Sequence, residues 1–253
     1  MYRIRIFHKE AQLPTIQDRN EVLRIFYSFR ILSESYINYI EVRKKDFSLA
    51  WENKDPVLSP GSRGLFDDSG VMPSCIIDDE LYYTGWSLRE KTPYAHAIGH
   101  AIFDDTKNKF IKTSDGPILD KSENIPYLAN SAFVIKDRMW FCNGTGWINN
   151  NPTYQICCAT KINGIWIYDK NFPPIGNKNE MNSRPFVKDG EIYYAKKTVN
   201  ENYSIFIGDK QILKHSNNHW ENKMVCYPYF FEDYMFYNGN DYGKTGIGVL
   251  KCN

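Results

Sequence analysis

Several kinds of functional site are missing from this 253-residue sequence. Its six cysteines contain no Cys-x-x-Cys pair, and its five histidines do not join them at the spacing of a zinc site. No glycine-rich phosphate loop or dinucleotide-binding fingerprint occurs. We therefore expect neither a metal site nor a cofactor. Most of the cysteines lie inside apolar runs, which is typical of buried free thiols in a reducing compartment.

Long apolar runs and an excess of one charge are also lacking. No apolar segment approaches the roughly 18 residues of a membrane span, and Met1–Phe7 alternates polar and apolar residues instead of opening a signal peptide. The 31 basic and 30 acidic residues leave a net charge of +1. This balance argues against a nucleic-acid partner. Together these absences predict a cytoplasmic protein without a membrane span; the oligomeric state stays open.

Aromatic residues, in contrast, are abundant. Tyr, Phe and Trp make up 15% of the chain, which favours strands over helices. They recur in a repeated unit: a short strand near a proline or small residue, a polar turn, and an aromatic strand. The unit is centred in turn on Pro14, Pro73, Ala132, Pro185 and Pro228. A third strand follows in every copy, and a fourth strand follows in most.

Five copies of about four short antiparallel strands are the pattern of a β-propeller. The sequence therefore predicts an all-β fold over residues 1–253, as one domain with five four-stranded blades. The fifth copy stops after its third strand, near Asn253. Because a propeller has to close its ring, we predict that Tyr2–Phe7 supplies the outer strand of the last blade.

Particular segments carry a family resemblance that spans nearly the whole chain. They are Asp55–Gly61, Phe66–Ser74, Tyr82–Trp86, Ala97–Gly99, Gly116–Leu119, Met224–Tyr229 and Tyr237–Gly243. With them the chain resembles the five-bladed propellers of glycoside hydrolase families 32, 43 and 130, and more closely an uncharacterised branch associated with polysaccharide biosynthesis. The resemblance implies an enzyme that cleaves or transfers a glycosyl unit in surface-glycan or nucleotide-sugar metabolism. Its ligand would be a sugar, glycan or sugar nucleotide in the central cavity.

The catalytic pattern of that family is incomplete in this chain. Its hydrolases use three acidic groups from different blades, the first of which is an Asp directly before a Pro. Here the first blade reads Gln12-Leu13-Pro14, so we expect Gln12 to bind a sugar hydroxyl. Asn130-Ser131 and Ser183-Arg184 likewise replace acids in the third and fourth blades. Two other functions therefore stay open: a catalytically silent carbohydrate-binding propeller, and a phosphate-using phosphorylase or transferase.

Three carboxylates are the candidates for catalysis. Asp68 is the predicted base or nucleophile, with Asp67 as its alternate, because both stand where a loop enters an apolar strand. Glu221, just ahead of the fifth inner strand, is the predicted general acid. Glycoside hydrolysis needs such a pair across the pocket. Each of the three also fits an ordinary polar turn or a solvated loop.

The remaining candidates would bind the substrate. Arg184, at the start of an inner strand, either grips a phosphate or carboxylate or forms an ion pair with an inner carboxylate, and Arg30 has the same two interpretations. Trp86 and Trp147 either stack on sugar faces or pack in the core. His96 is either an acid–base group or a hydrogen-bonded structural residue. The other predicted contacts are Asn143, Tyr227, Asn238, Asn240 and Asp241.

Overall fold

The computed structural model describes residues 3–252, which are almost entirely β-structure. The chain begins with β1 (Arg3–Phe7), which belongs to the last of three sheets. The first sheet has eight strands: β2 (Gln12–Arg19), β3 (Val22–Ile31), β4 (Glu34–Arg43), β5 (Leu49–Glu52), β6 (Gly70–Ile77), β7 (Glu80–Leu88), β8 (Tyr94–Asp104) and β9 (Lys109–Lys112). It consists of two antiparallel runs, β2–β5 and β6–β9, joined by one parallel pair of residues, Ser35 with Gly70.

The second sheet repeats this plan. Its strands are β10 (Ala129–Ile135), β11 (Arg138–Ile148), β12 (Asn151–Ile162), β13 (Ile165–Tyr168), β14 (Met181–Lys188), β15 (Glu191–Lys197), β16 (Ser204–Ile207) and β17 (Lys210–Leu213). The runs β10–β13 and β14–β17 are again antiparallel, and a single parallel pair, Tyr154 with Met181, joins them. The expected all-β fold is therefore confirmed, with sheets that are open rather than closed.

The third sheet brings the two ends of the chain together. It contains β18 (Cys226–Phe231), β19 (Tyr234–Asn238) and β20 (Ile247–Lys251), with the helical turn α1 (Asn240–Gly243) between the last two. β1 lies at its edge and pairs antiparallel with β20, from Arg3 opposite Leu250 to Phe7 opposite Ile247. The expected N-terminal strand thus joins the C-terminal strands, although its first residue, Tyr2, lies outside the described residues.

Burial follows the position of each strand in its run. First and second strands such as β6 and β7 are buried along nearly their whole length, as their continuous apolar sequences predict. Fourth strands are short edges; β9, β13 and β17 each bury one residue, and β5 buries none. In β9, Phe110 packs 5.1 Å from the Phe26 ring and 4.9 Å from the Phe103 ring, measured between centroids. Burying such a phenyl group contributes about 1.5–3 kcal/mol.

The first strand of every run contains a bulge. Pairing with the second strand breaks between Gln12 and Thr15 in β2 and at the matching positions of β10, β14 and β18, whereas in β6 it breaks between Pro73 and Cys75. In four of these strands one residue takes up left-handed backbone: Leu13, Ser131, Arg184 and Tyr227. Bulges redirect side chains, so these strands present residues that a regular ladder would point elsewhere.

No helix in residues 3–252 is long and apolar enough to cross a membrane. The helical turn α1 is itself irregular, because Asp241 (φ 53°) and Tyr242 (φ 61°) have left-handed backbone. Such conformations cost about 1 kcal/mol for each residue other than glycine. The turn therefore places two side chains, an acid and a phenol, where a right-handed helix would not place them.

Candidate functional site

The starts of β2, β6, β10, β14 and β18 converge on one cavity of about 420 Å³. Five tyrosines contribute to its wall: Tyr94, Tyr154, Tyr203, Tyr227 and Tyr242. We call it the tyrosine cavity. Because residues from all three sheets line it, the fold assembles the cavity from segments more than 200 residues apart in sequence.

The strand bulges shape this wall. Leu13, Ser131 and Tyr227, with left-handed backbone, all line the cavity, as does Met72 at the matching position of β6. Two bulges are fixed by a neighbouring run. The Leu13 N–H donates to Asn238 Oδ1 (2.8 Å), and the Ser131 N–H donates to Thr84 Oγ1 (2.9 Å). Without these acceptors the redirected N–H groups would be buried and unpaired.

Positive charge predominates in the wall. Arg30, Lys197 and Lys244 line the cavity, against the single carboxylate of Asp241. The Lys197 ammonium lies 3.0 Å from the Tyr242 hydroxyl, and none of these four charged groups forms an ion pair with another part of residues 3–252. A cavity wall with unpaired cations suits a ligand that carries negative charge.

His96 lies in this wall as a neutral group. Its ring stacks on Tyr94 (4.6 Å between centroids, 17° between planes), and its Nδ1 lies 3.0 Å from Asn130 Nδ2. Desolvation lowers the pKa of the His96 imidazole to about 3. Since an amide nitrogen can only donate, Nδ1 accepts, and the neutral ring carries its proton on Nε2. His96 therefore suits hydrogen bonding to a ligand oxygen rather than proton transfer near neutral pH.

The tyrosines and Trp86 are also neutral hydrogen-bonding or stacking groups. Desolvation raises the pKa of Tyr154, Tyr203 and Tyr227 well above 10, so their hydroxyls stay protonated. Trp86 is 7% exposed and donates its Nε1–H to Ser35 Oγ (2.7 Å). The Arg30 guanidinium lies 5.2 Å from the Trp86 ring centroid. A ligand would meet phenol, imidazole and indole surfaces together with cations.

Of the predicted site residues, six line the tyrosine cavity: Gln12, Arg30, Trp86, His96, Tyr227 and Asp241. The three predicted catalytic groups, Asp67, Asp68 and Glu221, lie outside this lining. Asp67 is buried, and its Oδ2 accepts from the Tyr83 hydroxyl (3.0 Å) and contacts the Lys112 ammonium (2.6 Å). Asp68 accepts from the Gly64 N–H (2.9 Å) and the Ser69 hydroxyl (3.0 Å), so its carboxylate closes its own loop.

Glu221 is likewise buried and fully engaged. Its carboxylate contacts the Arg3 guanidinium (3.0 Å) and accepts from Tyr237 OH (2.7 Å), Ser216 Oγ (2.5 Å) and Asn218 Nδ2 (3.1 Å). Among residues 3–252, no second carboxylate faces Asp241 across the tyrosine cavity. The expected pair of opposed acids is therefore not assembled there, since the buried acids serve their own loops.

Arg184 requires a correction. It is 1% exposed and lies outside the cavity lining, so it does not present its guanidinium to a ligand there. Its Nη1 donates to the Pro73 carbonyl (2.6 Å), and its Nη2 donates to the Pro14 carbonyl (3.0 Å) and Thr15 Oγ1 (2.7 Å). Burial lowers the pKa of Arg184 to about 10. Its positive charge is solvated by backbone carbonyls, and it ties β14 to β2 and β6 instead of pairing with a carboxylate.

The other predicted contacts also lie outside this lining. Asn238 is buried and bridges the Ala11 and Gly246 carbonyls (2.7 and 2.9 Å). Asn143 donates to the Asn124 carbonyl (2.9 Å), and Asn240 Oδ1 accepts from the Lys223 N–H (2.8 Å). These three amides fix loops by satisfying backbone groups. Trp147 lines a different, neighbouring cavity.

Sequence reasoning missed several lining groups, above all Lys197 and Lys244. Lys197 is the last residue of β15, and Arg30 and Trp86 lie one and two residues before the ends of β3 and β7, the second strands of their runs. Comparison of equivalent positions across the repeat would have found Lys197. Lys244 directly follows the irregular turn α1, and no local sequence pattern predicts that this turn places Lys244 in the cavity wall.

Known proteins share this fold. The chain superposes on a thermostable family-43 glycoside hydrolase with a TM-score of 0.61 at 12% identity, over 95% of this chain and 88% of that chain. For a Bombyx mori GH32 β-fructofuranosidase the TM-score is 0.60 at 12% identity, over 98% and 62%. For a β-1,2-mannobiose phosphorylase from Listeria innocua it is 0.57 at 12% identity, over 96% and 90%. The resemblance to glycosidase-type propellers is thus confirmed for the fold.

Sequence comparison adds a relative of unassigned function. The uncharacterized protein Rv1502 of Mycobacterium tuberculosis strain H37Rv is 29% identical over 226 residues, which are 77% of this chain and 75% of that protein. No family model matches the chain. Evidence for a function therefore has to come from the cavity itself.

Proposed function

We propose that the tyrosine cavity binds an anionic carbohydrate, such as a sugar phosphate, a nucleotide sugar or an acidic sugar of a surface glycan. The carrying observation is the set of three cations, Arg30, Lys197 and Lys244, against one carboxylate, Asp241, in the cavity wall. Neutral sugars need hydroxyl partners and aromatic faces, but they do not need unpaired cations. The structural neighbours that are sugar-processing enzymes support a carbohydrate as the ligand.

The same proposal includes the architecture. We infer that residues 1–253 form a single domain with five blades, and that the tyrosine cavity is its central cavity. The support is that each four-stranded run contributes its first strand to the cavity wall, through Leu13, Met72, Ser131, Ser183 and Tyr227. β1 pairs with β20 and so supplies the fourth strand of the last run.

The neutral wall would hold the sugar while the cations hold its charge. Gln12, Asn130 and the His96 Nε2–H offer hydrogen bonds to hydroxyls. Lys197 and Lys244 offer charge-assisted hydrogen bonds to phosphate or carboxylate oxygens. We place this recognition in surface-glycan or nucleotide-sugar metabolism in the cytoplasm. The free, mostly buried cysteines are consistent with a reducing compartment.

Binding without hydrolysis fits the geometry better than glycoside hydrolysis. Hydrolysis needs two carboxyl groups about 5–9.5 Å apart across the sugar. Asp67 and Glu221 already have cation and hydroxyl partners away from the cavity lining, and Asp68 closes a loop. We therefore favour a binding propeller over the two-carboxylate enzyme.

A second candidate is phosphate-dependent glycosyl transfer, favoured by the single acid among cations. In that reaction a phosphate held by Lys197 and Lys244 attacks the anomeric carbon and the glycosidic bond breaks. Asp241 takes part in its protonated form: it gives that proton to the leaving oxygen and regains one from water. This route needs one acid and one anion-binding site. Asp241 would be the acid, and Lys197 and Lys244 would form the anion-binding site.

Calorimetry with matched ligands tests the proposal. Galactose, galactose 1-phosphate, galacturonate and UDP-galactose would each be titrated into the parent protein and into Lys197→Gln. We expect an anionic ligand to bind more tightly than galactose, and Lys197→Gln to weaken that ligand about tenfold, equivalent to about 1.4 kcal/mol. Lys210→Gln, a substitution of the exposed lysine at the start of β17, is the matched control.

The outcomes separate the candidates. Equal affinity for galactose and its anionic derivatives, or no effect of Lys197→Gln, would contradict an anionic ligand. Chromatography of each mixture, with and without inorganic phosphate and an oligosaccharide, measures turnover. Phosphate-dependent cleavage that Asp241→Asn abolishes would establish the second candidate instead. Intact ligand in every mixture supports the binding propeller.

A further inference from the structure

A second cavity opens beside the tyrosine cavity, and nothing described above uses it. It measures about 440 Å³ and lies between the β7–β8 loop, the segment before β10 and the end of β11. Its wall includes two aromatic residues, Tyr127 and Trp147, and three cations, Arg89, Lys91 and Lys121. We call it the side cavity. Glu90 is the carboxylate of its wall.

The two cavities are separated by one aromatic contact. The Trp147 ring of the side cavity packs edge-on against the Tyr94 ring, with centroids 5.1 Å apart. Tyr94 in turn lines the tyrosine cavity and stacks on His96. The Tyr94 and Trp147 side chains therefore separate a ligand in one cavity from a ligand in the other. A chain of two or more sugar units could extend from one into the other.

The aromatic floor of the side cavity is a built feature. Gly144 in β11 donates its N–H to the Leu128 carbonyl (2.9 Å), and this holds the segment before β10 against the strand. A Cβ at position 144 would lie 3.1 Å from the Cβ of Tyr127 and 2.7 Å from Leu128 Cγ. Because Gly144 has no side chain, Tyr127 can lie close to β11, the strand that contains Trp147.

Folding alone does not explain these wall residues. Tyr127 is 42% exposed, and Arg89, Lys91 and Lys121 form no ion pair within residues 3–252. The Trp147 Nε1–H is buried and has no acceptor in the described part of the chain. Aromatic faces with free cations are the groups that an acidic saccharide would engage.

We propose that the side cavity is a second saccharide subsite, which binds the next units of an acidic oligosaccharide whose end occupies the tyrosine cavity. Tyr127 and Trp147 pack against sugar faces, and Lys121, Arg89 and Lys91 pair with carboxylates or phosphates along the chain. The inference rests on the proposed function of the tyrosine cavity. It also gives Trp147 a sugar-binding role, in a different cavity from the one that the sequence predicted.

A length series tests this subsite. Monogalacturonate, digalacturonate and tetragalacturonate would be titrated by calorimetry into the parent protein, Tyr127→Ser and Lys121→Gln. We expect the tetramer to bind the parent at least tenfold more tightly than the monomer, and each variant to lose most of that gain. Monomer affinity should stay unchanged in both variants, because both side chains are exposed and lie outside the tyrosine cavity. Lys136→Gln, in the exposed β10–β11 turn, is the matched control.

Failure of the subsite and failure of the proposed function give different results. An equal affinity for monomer and tetramer, or a gain that survives in both variants, overturns the subsite alone. If Lys197→Gln binds monomer and tetramer more weakly but keeps the gain in affinity with length, the ligand's charge is bound in the tyrosine cavity. The subsite is then supported only if Tyr127→Ser and Lys121→Gln lose that gain. If galacturonates of every length fail to bind, uronate recognition is overturned in both cavities.

Discussion

The carboxylates of this protein occupy two contrasting environments. Asp67 and Glu221 are buried ahead of the first strand of a run, and Asp241 is exposed in the cavity wall. The two buried acids are built alike: each accepts from the hydroxyl of a tyrosine sixteen residues further along, Tyr83 or Tyr237. Because the same acid–tyrosine pair occurs in two runs, we interpret it as a structural element of the fold rather than as a catalytic pair.

A cation completes each buried arrangement. Lys112 lies 2.6 Å from Asp67, and Arg3 lies 3.0 Å from Glu221. We call each acid with its tyrosine and its cation a carboxylate latch. Burial and the neighbouring carboxylate raise the pKa of Tyr83 and Tyr237, so both hydroxyls remain donors. Each latch fastens a loop to two strands of the same run, β7 and β9 for Asp67 and β19 and β1 for Glu221.

The cavity wall is the opposite case. Arg30, Lys244 and Asp241 are exposed and unpaired within residues 3–252, so their charges are available. The contrast teaches that charge serves stability where it is buried and partnered, and recognition where it is open. Substitutions in the two environments should therefore separate cleanly into stability effects and binding effects.

Deletion of residues 1–7 should have the largest effect. It removes β1 from the edge of β20 and removes Arg3 from Glu221, which leaves a buried carboxylate without its cation. Breaking one partner from a buried ion pair costs about 3–5 kcal/mol, before any loss of strand pairing. We expect the melting temperature to fall sharply in a thermal-unfolding scan. A truncated protein with the parent's melting temperature would contradict this role of β1.

Neutralising the acid of a carboxylate latch should lower the stability of the folded protein less than the deletion does. Glu221→Gln and Asp67→Asn keep the shape and one oxygen acceptor, but they leave Arg3 or Lys112 without a countercharge. We expect each to lower the free energy of unfolding by about 1–3 kcal/mol. Urea denaturation of both variants, with Asp241→Asn beside them, measures the difference.

Asp241→Asn is the control for that comparison, because an exposed acid without a partner contributes within about 0.5 kcal/mol. In calorimetry the pattern should reverse: latch variants that remain folded keep the parent's affinity for an anionic sugar. A latch variant with full stability and lost ligand turnover would restore Asp67 or Glu221 to the catalytic role that the sequence suggested.

Much of the fold could be predicted from sequence because its signals are local. Prolines or small residues, as at Pro14 and Pro73, are followed by polar turns and aromatic second strands in five successive copies. The bulges could not be predicted in this way. Left-handed backbone is common for glycine or asparagine, yet here it occurs at Leu13, Arg184 and Tyr227. Tertiary hydrogen bonds, such as that from the Leu13 N–H to Asn238, impose it.

The site was predicted less completely, for a related reason. Gln12, His96 and Tyr227 could be placed near the cavity from their position in the repeat, since strand starts converge. The fate of a charged side chain depends on partners far away in sequence. Lys112 holds Asp67 from 45 residues further on, and Arg184 reaches the carbonyl of Pro14. No local pattern encodes such contacts.

The smallest effect we expect concerns the neutral imidazole of the cavity wall. The pKa of His96 is about 3 in the folded protein and about 6.5 in an unfolded chain. Between these values the unfolded state binds more protons, so stability is full above pH 6.5 and falls as the pH decreases. At pH 5.5 the loss relative to pH 8 is about 1.4 kcal/mol. His96→Gln should flatten this part of the profile in urea denaturation, and His8→Gln, at an exposed position, should not. A profile that stays equally steep in His96→Gln would show that His96 is protonated in the folded cavity. It would then count among the cations that receive the ligand.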